Sequence, residues 1–210
     1  MNIDDYKKDI HPKSWFSEFR QNSIMYFIKI GILYHLLSLA LGSITYSLQI
    51  GMTGNEILFP PISLSSLILA GPIEESLAFG IPYYLTGNQY VILVTGAIWA
   101  SIHIFNSNVS SFDWGNLSYY NLIAVIPIFS YSYRLWIVGK GWFSILTHSI
   151  WNTIVFVWWT LDEESIATEL SIHYGDGSIW EFIFSTILMG ITYVLYRWRE
   201  KRNLRRKSPI

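Results

Sequence analysis

The chain of 210 residues contains no cysteine, which removes disulfides, thiolate nucleophiles and thiolate metal sites from its chemistry. Charge is scarce as well: 14% of the residues are Asp, Glu, Lys or Arg, against about a quarter in ordinary soluble domains. No lysine or arginine occurs between Lys29 and Arg134, so an acid in the centre of the chain has no basic partner nearby in sequence. The first 22 residues are polar and carry no short apolar segment ending at small residues, so no signal peptide is expected there. Internal repeats, low-complexity tracts and linkers are also missing, and a single domain over residues 1–210 is expected. What is abundant is apolar: 51% of the residues are hydrophobic, with ten Trp and fourteen Tyr. That composition points to a membrane protein, because amphipathic rings collect at bilayer interfaces and supply hydrogen-bond donors inside a bundle.

Crossing the hydrocarbon takes about 20 apolar residues, and about six stretches meet or approach that length. They are 23–50, 62–85, 90–105, 119–133, 142–161 and 179–196. The expected fold is therefore all-α, a polytopic membrane helix bundle. Lys7, Lys8, Lys13 and Arg20 precede the first stretch, Arg134 and Lys140 follow the fourth, and Arg197, Arg199, Lys201, Arg202, Arg205, Arg206 and Lys207 follow the sixth. With six spans all three basic groups share one side, while Asp113 and the run Asp162, Glu163, Glu164, Glu169, Asp176 share the other. Basic segments stay cytoplasmic, so both termini are expected there, in a multi-pass protein integral to the cell membrane. In the arm 1–22, Trp15, Phe16 and Phe19 recur at helical spacing beside Lys13 and Arg20, which suits an interfacial helix; a solvated arm packed on the bundle is the alternative. The tail 197–210 reads as an orientation signal drawn to anionic membrane lipid rather than a nucleic-acid patch.

Within these apolar stretches a few polar groups stand out. Glu74 and Glu75 lie near the middle of the second, where a bare carboxylate in a bilayer costs roughly 2.5 kcal/mol or more and should face a partner or a wet cavity. Neighbours on a helix diverge by about 100°, so the two acids cannot point at one atom. One can face a reaction cavity while the other is held by an adjacent helix. Pro72, two residues upstream, removes a backbone donor and can open room for water. His148 and Asn152 are one helical turn apart and present an imidazole and an amide on one face. Imidazole can act as base, acid or metal ligand, and a carboxamide can donate to a developing oxyanion. His103 stands alone in the third stretch, where a histidine is commonly a hydrogen-bonded packing residue. Three polar sites in three separate apolar stretches point instead to a shared site in a bundle core.

Glu74-Glu75, then Trp99-Ala100-Ser101-Ile102-His103, then His148-Ser149-Ile150-Trp151-Asn152 resemble the three signature motifs of the CPBP family, which comprises the CAAX-prenyl endopeptidases and the Abi-like bacteriocin-processing or immunity-type membrane proteins. The resemblance covers about residues 62–159. The family pattern places an arginine four residues after the second glutamate, and here that position is Phe79. Without that partner Glu75 is expected to be protonated, bonded to a tyrosine such as Tyr83 or Tyr84, or hydrated.

The resemblance implies peptide-bond hydrolysis inside the membrane without a covalent intermediate. Glu74, with His103, would deprotonate a water; His148 and Asn152 would hold the carbonyl oxygen as it becomes negative; Glu75 would support them. Glu74, His103 and His148 also form a candidate zinc set, although the helical His-Glu-x-x-His spacing of many zinc peptidases is absent, and metal dependence stays open. The implied substrate is a flexible, membrane-anchored or prenylated peptide or protein segment, because an intact helix hides its carbonyls. A non-enzymatic reading competes: an inactive family member acting as a binding or immunity protein, or a proton-handling carrier, since paired acids and histidines across spans also suit proton relay.

Overall fold

The computed structural model describes residues 23–54, 64–105, 117–160 and 178–207, and every regular element among them is helical. The elements are α1 (Ile24–Thr53), α2 (Leu64–Glu75), a π-helical turn (Ser76–Gly80), α3 (Ile81–Thr86), α4 (Gln89–Ile102) with a closing 3-10 turn (His103–Phe105), α5 (Tyr119–Ile137), α6 (Gly141–Thr160) and α7 (Ser178–Lys207). The all-α expectation holds, and each apolar stretch is helical where it is described. The arm 1–22, Asp113 and the acidic run 162–176 lie outside the described residues. Three details differ from what the sequence predicts. The second stretch is interrupted by the π-turn; α5 runs on to Ile137 and so takes Arg134 out of the expected link; α7 continues to Lys207, so most of the basic tail is helix. Helix α1 and the Ile179–Arg202 part of α7 are long and apolar enough to cross a membrane.

The helices gather into two compact units, one of Met1–Phe59 with Ala100–Lys140 and one of Pro60–Trp99 with Gly141–Ile210. In the first, α1 starts at Ser23, whose Oγ accepts from the Tyr26 N–H, and stops at Gly54, whose φ of 68° lets its N–H turn back to the Ile50 carbonyl. Helix α5 packs antiparallel to α1. Gly31 and Gly42 open that contact, since a Cβ on Gly31 would meet the Tyr131 hydroxyl at 2.6 Å and one on Gly42 would lie 3.0 Å from the Ala124 Cβ. Side chains then reach carbonyls across the seam: Ser38 Oγ donates to Ala124, Tyr131 OH to Phe27 and Gln49 Nε2 to Leu117. Arg134, 2% exposed, donates from Nη1 to the Tyr34 hydroxyl at 2.8 Å. It is a buried structural cation, which corrects the expectation that it lies in a link. Its burial follows from the helix running one turn past the expected end, which carries it onto the face that meets Tyr34.

The second unit carries α2, the π-turn, α3, most of α4, α6 and α7, and its local architecture follows from Pro72. A proline inside a helix has no N–H for the carbonyl four residues back, here Ile68. Ser149 Oγ from α6 donates to that carbonyl at 2.8 Å, and Asn152 Nδ2 donates to the neighbouring Leu67 carbonyl at 3.3 Å. Gly71 permits this approach: a Cβ there would stand 2.9 Å from both the Ile145 carbonyl and the Ser149 N, and would overlap the Ser149 hydroxyl. Beyond Glu75 the backbone widens, with the Ile81 N–H bonding the Ser76 carbonyl five residues back. The Ala78 carbonyl inside that turn accepts from Thr95 Oγ1 of α4. Helix α3 closes at Gly87, with φ 69° and its N–H on the Tyr83 carbonyl. Arg199 of α7 caps the same end, donating from Nη1 to Tyr83 at 2.9 Å while its guanidinium lies 5.0 Å from the Tyr83 ring centre.

Candidate active site

Glu74 and Glu75 occupy the last two positions of α2, between Pro72 and the π-turn, and α6 brings His148 to both. The 100° divergence of neighbouring helical side chains is resolved by the shape of imidazole, whose two nitrogens face opposite ways. Nδ1 of His148 lies 3.2 Å from Glu75 Oε1, and Nε2 lies 3.6 Å from Glu74 Oε2. Glu75 is fully buried and His148 is 5% exposed, whereas the Glu74 side chain keeps 30% of its surface. The two acids thus differ in access: one is enclosed with the imidazole, the other reaches the outside.

An aromatic group closes the cluster. Trp99 of α4 donates its indole N–H to Glu74 Oε2 at 2.8 Å, and its ring stands edge-on to His148 at 5.7 Å between centres. Phe79, fully buried in the π-turn, packs with its ring centre 5.8 Å from that of Trp99, tilted 66°. The position at which the family pattern expects a cation is therefore filled by a ring packed on a ring. Glu75 Oε1 meets the His148 imidazole at 3.2 Å in this geometry.

Of the residues singled out in the sequence, Glu74, Glu75 and His148 converge within the second unit. Asn152 follows His148 by one turn and has one amide hydrogen committed to the Leu67 carbonyl, leaving the second N–H of the same group as its remaining donor. His103 sits in the 3-10 turn that ends α4, partly exposed, and belongs to the first unit. Among the described residues no group of three or more His, Cys, Asp or Glu side chains is arranged to hold a metal ion. What the cluster does bring together is three groups able to exchange protons, two carboxyls and an imidazole, with one of the carboxyls open to the outside.

Sequence reasoning missed Ser149, Gly71 and the indole N–H of Trp99. Pro72 announces an orphaned carbonyl, but which hydroxyl meets it depends on how α6 docks.

Fold and site together define an all-helical protein with membrane-length helices and a carboxylate–imidazole–carboxylate cluster in a largely enclosed setting. Residues 56–154 match the family model described as Type II CAAX prenyl endopeptidase Rce1-like, which bears out the CPBP resemblance. A search of curated proteins and a search of solved structures each return no match.

Proposed function

We propose that this chain is an intramembrane endopeptidase that hydrolyses a peptide bond in a membrane-associated or prenylated substrate. The observation that carries the reading is the placing of one imidazole between two carboxylates of unequal exposure, 3.2 and 3.6 Å away, inside the segment matched to the protease family. Glu74, the more exposed acid, takes a proton from water as the water oxygen bonds to the substrate carbonyl carbon. The resulting oxyanion receives a hydrogen bond from the His148 N–H and from the remaining N–H of Asn152, while Glu75 fixes the imidazole through its other nitrogen. Collapse breaks the C–N bond, and the proton held by Glu74 passes to the leaving amine. The family pattern gives His103 the part of assisting the base, and its substitution tests that part.

The bilayer is part of the reading. Six spans with the basic arm and the basic tail on one face make both termini cytoplasmic, and the exposed Ile179, Trp180, Phe182, Phe184, Ile187 and Val194 of α7 suit contact with lipid tails. The substrate is an anchored or prenylated segment without stable helix at the cut.

The test is turnover of a quenched prenylated peptide by protein in lipid nanodiscs. Glu74→Ala, His103→Ala and His148→Ala should each lower turnover by about 10²-fold or more while melting within a few degrees of the parent. Unchanged turnover in all three overturns the reading.

Phe79 in the place of the family arginine favours a second reading, a non-cleaving member that binds a partner through the same bundle. Phe79→Arg decides between them. Turnover appearing only in this variant identifies a silenced enzyme, and turnover in the parent with loss of stability in the variant shows that the ring has replaced the cation.

A further inference from the structure

We infer that Trp99 is a positioning residue for the general base, holding the Glu74 carboxylate through its indole N–H; the inference rests on the proteolytic reading of the site. Three contacts converge on this side chain. Its Nε1 donates to Glu74 Oε2 at 2.8 Å, its ring meets His148 edge-on at 5.7 Å, and Phe79 packs against it at 5.8 Å. Trp99 is 8% exposed and Phe79 is fully buried, so the indole has little room to turn. Glu74 is the more exposed acid, and a long side chain that keeps 30% of its surface loses rotamer freedom when a fixed donor binds it. A neutral donor fixed by packing supplies that hold without adding a charge. It binds one carboxylate oxygen and thereby sets the direction in which the other points.

Phe79, where a cation is expected beside Glu75, serves the other acid: Glu75 meets His148, and the ring packs on the indole that bonds Glu74. A phenyl ring cannot bond a carboxylate, but it supports the indole that does. Phe79 and Trp99 act as one unit, the first by packing and the second by its N–H.

The experiment uses the full chain in nanodiscs, labelled with 5-fluorotryptophan. Trp99→Phe identifies the fluorine resonance of Trp99 among the ten tryptophans, with Trp99→Tyr as the second route should the phenylalanine variant fold poorly. In otherwise native protein, Glu74→Gln should shift that resonance. Turnover should fall about ten- to a hundredfold in kcat for Trp99→Phe, as expected for a displaced base, with KM within about twofold. A resonance indifferent to Glu74→Gln, or a Trp99→Phe protein with parental kcat, overturns the inference. A shifted resonance in a parent protein that cleaves nothing removes the proteolytic reading while leaving the Trp99–Glu74 link intact.

Discussion

The two units solve the same problem with different partners. Each places an ionisable side chain where water is scarce, Arg134 at 2% exposure in the first and Glu75 at 0% in the second. Arg134 is given the hydroxyl of Tyr34, a neutral acceptor. Glu75 is given His148, a group that can gain or lose a proton. The first arrangement can only hold helices together; the second can hold them together and also move protons. The backbones differ in the same sense. Both units contain a proline inside a helix, Pro127 in α5 and Pro72 in α2, yet α5 continues as regular α-helix to Ile137 whereas α2 passes into a π-turn four residues after its proline. Irregular backbone in an apolar setting requires outside donors, and Ser149 and Thr95 supply them in the second unit. Irregularity and titratable chemistry occur together.

The sharpest way to break this comparison is to replace each buried ionisable side chain. Glu75→Gln should lower stability by about 1–3 kcal/mol and kcat by at least about tenfold, because the imidazole loses the acid that orients it. Arg134→Met should cost a similar stability but leave kcat unchanged in the folded fraction. Thermal melting with turnover measured side by side checks both, and an Arg134→Met protein that is stable but inactive erases the contrast.

A smaller effect is expected at the helix seams. Gly71→Ala drives a methyl into backbone atoms of α6 at 2.9 Å, so a loss of about 1–3 kcal/mol should come with lost turnover as His148 moves off the acids. Gly42→Ala meets only the Ala124 methyl at 3.0 Å and should cost less, with turnover retained. Equal effects on turnover would mean that the seam of the second unit has no special hold on the site. The smallest change concerns Ser149→Ala, which leaves the Ile68 carbonyl without the donor that Pro72 cannot provide. About 1 kcal/mol of stability should go, recovered by Ser149→Thr if the hydroxyl is what matters.

Much of this is legible in the linear chain. Long apolar runs force helix, because backbone groups in a dry environment must be paired within their own segment, and each run is helical where it is described. Glu74, Glu75 and His148 stand out for a related reason: polar groups amid apolar neighbours need partners, and the partners they need are each other. Arg134 and Arg199 read in the sequence as simple markers of orientation, since a linear chain shows a basic residue at a boundary but not that a helix continues and turns it inward. The role of Phe79 is legible only as a missing cation.

The sequence by itself determined helical character, the isolated titratable groups and the broken hydrogen bond at Pro72, because each depends on neighbours within about one or two helical turns. The tertiary structure alone decided which imidazole nitrogen faces which acid, that Ser149 meets the orphaned carbonyl, and that an indole N–H bonds the more open glutamate. Those pairings depend on the rotation and depth at which one helix docks on another, set by small residues such as Gly71 and by ring packing summed over many weak contacts, and no local spacing encodes that sum.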